Sequence, residues 1–546
     1  MADKKSTAQM IVDGLVRNGI ETIHCLPGVQ NDPFFAALHD NRDRIRAVHT
    51  RHEQGAAYMA TGAAQATGKP AAYCVVPGPG VLNTTAALST AWATGAPVFC
   101  LVGQIPQGLI GKGTGQLHEI PDQPGVLAGL TKWNDMVRAP SEAPGLVDKA
   151  ITELISGRPK PVALEVPMDV WGAEGEATEP TGPATANPWP EMDEDALIEA
   201  ADLLAGSKRP MIVVGGGALE APDEVREIAE LMQAPVLSSR LGKGILDSRH
   251  PFSHTMPGGR RLWAETDVVL GVGTRMQVQQ AGWGTDDNMK IIRIDADPEE
   301  MSRIREPDVA LQGDSGPMLR RLIDLLATRI DKRADRTDEM LTLKADMAGV
   351  FDELRPQLDY LAAIRDALPE DGIFVDELTQ VGYVSRFAFP TYTPRTFLTT
   401  GYQGTLGWGY PSALGAKLAR PDVPVVSIAG DGGFMFNVQE LASAAQHGIA
   451  VTCILFNDGA FGNVRRIQET MYGNRVIASD LQNPDFQKLA ESFGVMGLRA
   501  KSPEELRRAL NKSFKANVPT LIEVPTGPMP SPWHLIIPQR VRGEKK

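Results

Sequence analysis

Val425-Val-Ser-Ile-Ala-Gly-Asp-Gly-Gly433 and Val451-Thr-Cys-Ile-Leu-Phe-Asn-Asp-Gly459 decide how this chain is read. Each opens on a short run of β-branched and apolar residues, the pattern of a strand buried on both faces. Each run leads to an oxygen-bearing side chain: Asp431 in the first and Asn457, 26 positions later, in the second. Between them, Asn437-Val-Gln-Glu-Leu-Ala-Ser-Ala-Ala-Gln-His-Gly448 has a helical pattern and stops at a glycine. Strand, helix and strand in that order predict a parallel unit. Asp431 and Asn457 then stand at the carboxyl ends of neighbouring strands, where open α/β sheets bind ligands. With the Gly459 carbonyl they offer hard oxygens to a Mg²⁺ or Ca²⁺ ion that keeps places for phosphate oxygens. Gly432 and Gly433 allow a diphosphate to approach the backbone closely.

A chain of 546 residues is too long for one core and predicts about three domains. Its 42% hydrophobic and 22% charged content is ordinary for a soluble globular protein. A net charge of −13, with no basic run, argues against a nucleic-acid partner. The amino terminus lacks the apolar stretch of a signal peptide, and no segment approaches the roughly 20 apolar residues that span a bilayer. No membrane association is expected. Cys25, Cys74, Cys100 and Cys453 lie in apolar, strand-like segments without metal-ligand spacing, which predicts reduced, buried thiols and a cytoplasmic protein.

Strand-like and helical segments alternate along most of the chain, which predicts an α/β protein of three consecutive domains with parallel sheets. The first, residues 1–173, has strands at Thr22-Ile-His-Cys-Leu26, Ala71-Ala-Tyr-Cys-Val-Val76, Val98-Phe-Cys-Leu-Val102 and Pro161-Val-Ala-Leu-Glu-Val166. Residues 174–190 shift to Glu, Thr, Ala and Pro and read as a linker. The central domain, 191–331, has strands at Pro210-Met-Ile-Val-Val214, Ala234-Pro-Val-Leu237, Asp267-Val-Val-Leu-Gly271 and Lys290-Ile-Ile-Arg-Ile-Asp295. A charged connecting helix covers 332–355, and the third domain, 356–530, carries the Asp431/Asn457 pair. The tail, 531–546, is expected to lack regular structure because of its prolines.

The strand-GDG-helix-strand-N pattern resembles the diphosphate-binding motif of thiamine diphosphate (ThDP) enzymes. The order of modules resembles the pyrimidine-binding, central and diphosphate-binding domains of that superfamily's acetolactate synthase and 2-oxo acid decarboxylase branch. The family's first asparagine of the pair is replaced here by Phe456. The resemblance implies ThDP and Mg²⁺ as cofactors, with Asp431, Asn457 and the Gly459 carbonyl as metal ligands. Gly432, Gly433, Ala460, Phe461, Thr379 and Gln380 then lie around the diphosphate. Thr400-Gly-Tyr-Gln-Gly-Thr-Leu-Gly-Trp-Gly409 resembles the loop whose bulky residue wedges between the cofactor rings, which gives that role to Leu406, with Gly404 beside it.

In the first module, His49-Thr-Arg-His-Glu-Gln-Gly-Ala-Ala57 resembles the segment carrying the glutamate that activates the aminopyrimidine, here Glu53. Small apolar neighbours favour a raised pKa there, although a first-turn glutamate also simply complements a helix dipole. Pro77-Gly-Pro-Gly-Val-Leu-Asn83 resembles the loop against the pyrimidine and the partner subunit, bringing in Pro79 and Asn83. Gly28, Gln30 and Asn31 come from Pro27-Gly-Val-Gln-Asn-Asp32, and His118 from Gly115-Gln-Leu-His-Glu119. Of these, Gln30, Asn31 and His118 are candidates for binding a carboxylate or carbonyl and relaying protons; each is also compatible with an ordinary, satisfied loop residue.

The chain departs from acetolactate synthases at His118-Glu119, where they have Gln-Glu, and at Val166-Pro167-Met168, where they have a lysine after Val-Pro. The expected activity is making or breaking a C–C bond next to a carbonyl in a 2-oxo acid or 2-hydroxy ketone. The open alternatives are a lyase acting on a 2-hydroxy ketone or 2-hydroxyacyl-CoA, and a non-catalytic ThDP-binding relative. The family implies a homodimer or homotetramer. In the central module, Val214-Gly-Gly-Gly217 lacks the third glycine of a dinucleotide fingerprint, with Glu220 in its place. Gly271-Val-Gly-Thr-Arg275 and Ile294-Asp-Ala-Asp-Pro298 resemble places where relatives hold FAD or ADP. Others in the superfamily keep this fold without a nucleotide, and that is the expectation here.

Overall fold

Three six-stranded sheets, every neighbouring pair parallel, form the frame of the computed structural model, which describes residues 4–176 and 180–543. The first sheet has the order Arg46–His49, Thr22–Cys25, Ala71–Val75, Val98–Gln104, Val162–Pro167, Trp133–Met136. The second runs Ser253–His254, Val236–Ser238, Pro210–Val214, Val268–Val272, Lys290–Asp295, Val309–Gln312. The third runs Phe397–Leu398, Ile373–Val375, Val425–Gly430, Val451–Asn457, Thr520–Pro525, Met496–Arg499. Helices cover both faces, so the inner strands carry no apolar/polar alternation. Pro210–Val214 and Val268–Val272, for instance, are buried throughout.

The strands read from the sequence are present, with ends moved by one or two residues. The stretch read as a helix from Asn437 is helical over Glu440–His447 and ends on Gly448, whose φ of 63° provides the left-handed cap. Within the expected linker, Glu174–Gly175 pairs antiparallel with Lys5–Ser6, while residues 177–179 lie outside the described residues. Farther on, the Ala184 N–H donates to Asn18 Oδ1 at 2.7 Å, so the segment is tied to the first module. The connecting helix spans Thr337–Phe351. The tail departs from expectation: Trp533–Ile536 forms a helical turn, with Trp533 packed on Tyr383 at 4.8 Å between ring centres. It then reaches back to the central module, where the Val541 N–H donates to the Trp283 carbonyl at 2.9 Å. A proline-rich segment gains this order from the surfaces it crosses.

The first and third modules dock through helices Glu53–Thr67 and Gly409–Ala419. A Cβ on Gly62 would lie 1.9 Å from the Ser412 carbonyl oxygen, and one on Gly415 would lie 1.8 Å from that of Met59. Two glycines facing opposite backbones therefore let the helix axes approach closely. All four cysteines are free and buried. Among the described residues, no helix is long and apolar enough to cross a membrane.

Candidate active site

Val425–Gly430 and Val451–Asn457 are parallel neighbours in register, with Gly430 opposite Phe456. Asp431 and Asn457 therefore emerge side by side. Asp431, 1% exposed, accepts the Gly459 N–H at 3.0 Å and the Asn483 side-chain amide at 2.6 Å on Oδ2. The same Asn483 amide donates to Asn457 Oδ1 at 3.0 Å. Two oxygens from adjacent strand ends thus converge on one donor. Asn457 Nδ2 donates to Glu523 Oε1 at 2.9 Å, and that bond turns the amide oxygen toward Asp431. Gly459, at φ 69°, has its carbonyl accepting the Leu481 N–H at 2.8 Å, which leaves the oxygen's second lone pair.

Around this pair, Phe461 packs over Gly432, where a Cβ would meet the ring at 2.4 Å. Ala460 pairs with Asp480 in an isolated bridge. Thr379 Oγ1 caps helix Gln380–Ala388 by accepting the Gly382 N–H at 3.0 Å. Gln380 Nε2 donates to Asp458 at 2.7 Å. Burial first and the Asp431 charge second push the Asp458 carboxyl up to about 6. The site concentrates acceptors and negative charge where a cation would neutralise them.

Residues 404–409 form a second wall. Gly404 and Gly407 have φ of 60° and 77°, so the chain folds tightly on both sides of the half-buried Leu406. Glu377, 1% exposed, accepts the Gly407 N–H at 2.5 Å and the Gly409 N–H at 3.2 Å. Asn437 donates to the Gly407 carbonyl at 2.7 Å, and the Trp408 indole to the Asp376 carbonyl at 2.9 Å. Burial raises the Glu377 carboxyl to about 8. Its Oε1 would lie 3.0 Å from a Cβ on Gly433, so this acid borders the glycine cradle as well.

The first module contributes its own cluster. Glu53 opens helix Glu53–Thr67 behind the cap residue His52, and its half-buried carboxylate accepts the Asn83 amide at 3.0 Å. Pro79–Asn83 forms a short helix after Gly78, whose N–H donates to Gln123 at 2.9 Å. Gly78 has φ 58°, and a Cβ there would strike the His118 carbonyl at 2.3 Å. His118 itself has φ 70°, a costly conformation for a residue with a side chain, and its Nδ1 is buried without a partner among the described residues. Gln30 donates to the Leu117 carbonyl at 3.1 Å, and its Oε1 has no partner among the described residues. Gln30, His118, Pro79, Asn83 and Glu53 are thus linked through adjoining loops. Gly28 lies against Val76, where a Cβ would sit 2.5 Å from a methyl. Asn31 is fully buried, donates to the Val75 carbonyl at 2.8 Å and packs against Gly103. It braces the sheet end beneath the loops.

The two glycine-bearing stretches of the central module, at 214–217 and 271–275, and the strand end at 294–296 line one cavity of about 790 Å³. Arg240, Lys243 and Arg275 add cationic lining, and burial lowers Lys243 to about 7 and Arg240 to about 10.

Sequence reading missed Asn483, Glu377 and Asn437. Glu377 carried a signal, being an acid just past the end of a strand. Asn483 lies 26 residues beyond Asn457 in a segment without pattern, and only folding brings it to the site.

Comparison with known proteins identifies the family. The chain matches the family described as "Thiamine pyrophosphate enzyme" in all three of its parts. The N-terminal TPP binding domain covers residues 5–126, the central domain 197–322 and the C-terminal TPP binding domain 379–524. A Pseudomonas aeruginosa protein named as a probable 2-ketoarginine decarboxylase is 34% identical over 543 residues, covering 95% of this chain and 94% of that one. A Methanocaldococcus jannaschii protein named as a probable acetolactate synthase large subunit is 34% identical over 548 residues, covering 95% and 92%. The Escherichia coli acetolactate synthase isozyme 1 large subunit is 31% identical over 529 residues, covering 95% and 93%. With both TPP binding domains, the central domain between them and full-length relatives of this kind, the chain belongs to the thiamine pyrophosphate enzymes, in the branch of the acetolactate synthases and 2-oxo acid decarboxylases.

Proposed function

We propose that this protein is a ThDP- and Mg²⁺-dependent enzyme that makes or breaks a C–C bond next to the carbonyl of a 2-oxo acid, as a decarboxylase or an acetolactate synthase-like carboligase. The convergence of Asp431 Oδ2 and Asn457 Oδ1 on a single amide carries the reading. A donor at the meeting point of two hard oxygens marks where a divalent cation fits, and Gly432 and Gly433, having no side chains between Phe461 and Glu377, would let a diphosphate approach the backbone beside it.

Asp431, Asn457 and the Gly459 carbonyl would hold the Mg²⁺. Gly432, Gly433, Ala460, Phe461, Thr379 and Gln380 would surround the diphosphate, and Gly404 and Leu406 would shape the space for the rings. When bound, ThDP supplies a nucleophile and an electron sink for the pair released as the C–C bond breaks. Glu53, with Gly28, Pro79 and Asn83 around it, would exchange a proton with the aminopyrimidine. Gln30 and His118, each with an unpartnered polar atom, would face the substrate, with Asn31 fixing the loop below. The relatives' names support a 2-oxo acid, and the buried free thiols suit the cytoplasm.

The working unit would be a homodimer or homotetramer. Leu82 and Leu117 near the Glu53 cluster are 42% and 63% exposed, and Met435 and Phe436 near the glycine cradle 41% and 51%. Apolar side chains left bare around both the Glu53 cluster and the glycine cradle suit coverage by a second copy.

Measuring CO₂ release and carboligation across a panel of 2-oxo acids, including pyruvate and 2-ketoarginine, tests the assignment. Activity that requires both ThDP and Mg²⁺ is expected. Failure to bind ThDP, or activity indifferent to both, would overturn it. A second reading concerns the central cavity: its glycines and cations suit the phosphates of FAD or ADP. A flavin or adenine chromophore released on denaturing the purified protein tests that.

A further inference from the structure

We propose that Glu440, a residue of the third module, is the positioning residue for Glu53 of the first: its carboxylate fixes the main chain from which Glu53 projects. This rests on the role given to Glu53 above.

Glu440 opens helix Glu440–His447 and is fully buried. It accepts the Arg51 N–H on both oxygens, at 3.2 and 3.3 Å, across 389 residues of sequence. Ser443 Oγ donates to the same carboxylate at 2.6 Å and holds it in place. Its Oε1 would lie 2.5 Å from a Cβ on Gly55. The carboxylate therefore lies against the first turn of helix Glu53–Thr67, where free N–H groups concentrate positive charge.

The same short helix grips the approach to Glu53 at other points. His447 Nε2 donates to the His49 carbonyl at 3.1 Å, with the two rings edge-to-face at 4.9 Å. Arg46 donates to the His447 carbonyl at 3.2 Å, and Arg51 to Gln446 Oε1 at 3.1 Å. Residues 46–55 are thus pinned along their length from the third module.

Adhesion between modules does not need this acid. Apolar packing of Glu53–Thr67 on Gly409–Ala419, through Gly62 and Gly415, already joins them. Burying a carboxylate is expensive unless its bonds are used, and here they are directional bonds to the backbone two residues before Glu53. Asn437, three residues upstream of Glu440, holds the Gly407 carbonyl in the Leu406 loop. One segment of the third module therefore sets both the loop carrying Leu406 and the strand-to-helix turn carrying Glu53. A proton-transfer group displaced by about 1 Å loses roughly a hundredfold in rate, so orientation at this turn has a direct effect on turnover.

The test compares Glu440→Ala, Gly55→Ala and Glu53→Gln in the full-length protein. Gly55→Ala leaves the acid in place but presses a methyl group against it, so it serves if Glu440→Ala folds poorly. In the cofactor-free protein, amide hydrogen exchange at residues 51–53 should accelerate in both alanine variants. With ThDP and Mg²⁺, kcat should fall about a hundredfold while KM and ThDP affinity stay near wild type. Adding Glu440→Ala to Glu53→Gln should produce little further loss, because both changes remove one function. Wild-type kcat in folded Glu440→Ala or Gly55→Ala, unchanged exchange at residues 51–53, or full additivity with Glu53→Gln would overturn the proposal. If Glu53→Gln itself retains full activity, the role of Glu53 fails instead.

Discussion

The carboxyl group of Glu377 accepts the main-chain N–H of Gly407 at 2.5 Å in a fully enclosed setting. Both oxygens of the carboxyl accept, the Gly409 N–H taking the second, and they retain that capacity whether or not the acid carries its proton. Glu377→Gln keeps the size but turns one acceptor into a donor facing an N–H. A buried bond left unmade costs about 1–3 kcal/mol. A lower melting temperature and weaker ThDP affinity are expected, with faster amide exchange in residues 404–409. If calorimetry finds both stability and affinity unchanged, the loop does not depend on this acid.

Metal dependence is expected to reside in Asp431. Chelation of divalent cations should release ThDP from the wild-type protein. Asp431→Ala should fail to retain the cofactor at saturating Mg²⁺ while its far-ultraviolet circular dichroism stays unchanged. Fluorescence titration that returns wild-type ThDP affinity for this variant would remove Asp431 from the metal site.

At the module junction, Gly62→Ala would drive a methyl group to 1.9 Å from the Ser412 carbonyl. Backbone cannot rotate away as a side chain can, so the helices must separate. Overpacking of this kind costs about 1–3 kcal/mol or more. Gly415→Ala, which meets the Met59 carbonyl, should match it, whereas Gly349→Ala, in open space within helix Thr337–Phe351, should be neutral or stabilise by up to about 1 kcal/mol. Equal denaturation midpoints for all three would refute close helix docking.

Acid sensitivity follows from two buried histidines. Burial lowers His24 and His254 from 6.5 to about 3, so both stay neutral in the folded protein. The unfolded chain takes up protons below 6.5, and the folded one only near 3. Stability should therefore be present above pH 6.5 and be lost as pH falls toward 3. Replacing both residues with leucine should flatten the slope of denaturant midpoint against pH in that window. An unchanged slope would assign acid unfolding to other groups.

The sequence alone determined the three-module α/β plan and the Asp431/Asn457 pair. Inner strands such as Val98–Gln104 and Val451–Asn457 are buried on both faces and read as apolar runs, and chain order then places Asp431 and Asn457 on neighbouring strands. The six edge strands, Arg46–His49, Trp133–Met136, Ser253–His254, Val309–Gln312, Phe397–Leu398 and Met496–Arg499, were not legible. They are short, several are partly exposed, and pairing with a neighbour rather than local pattern makes them strands. Tertiary structure alone decided the partners that orient the site. Asn483 reaches Asp431 from 52 positions away and Glu440 reaches Arg51 from 389. Hydrogen bonds of such long sequence separation leave no local periodicity, because they exist only where packing has already brought the two backbones together.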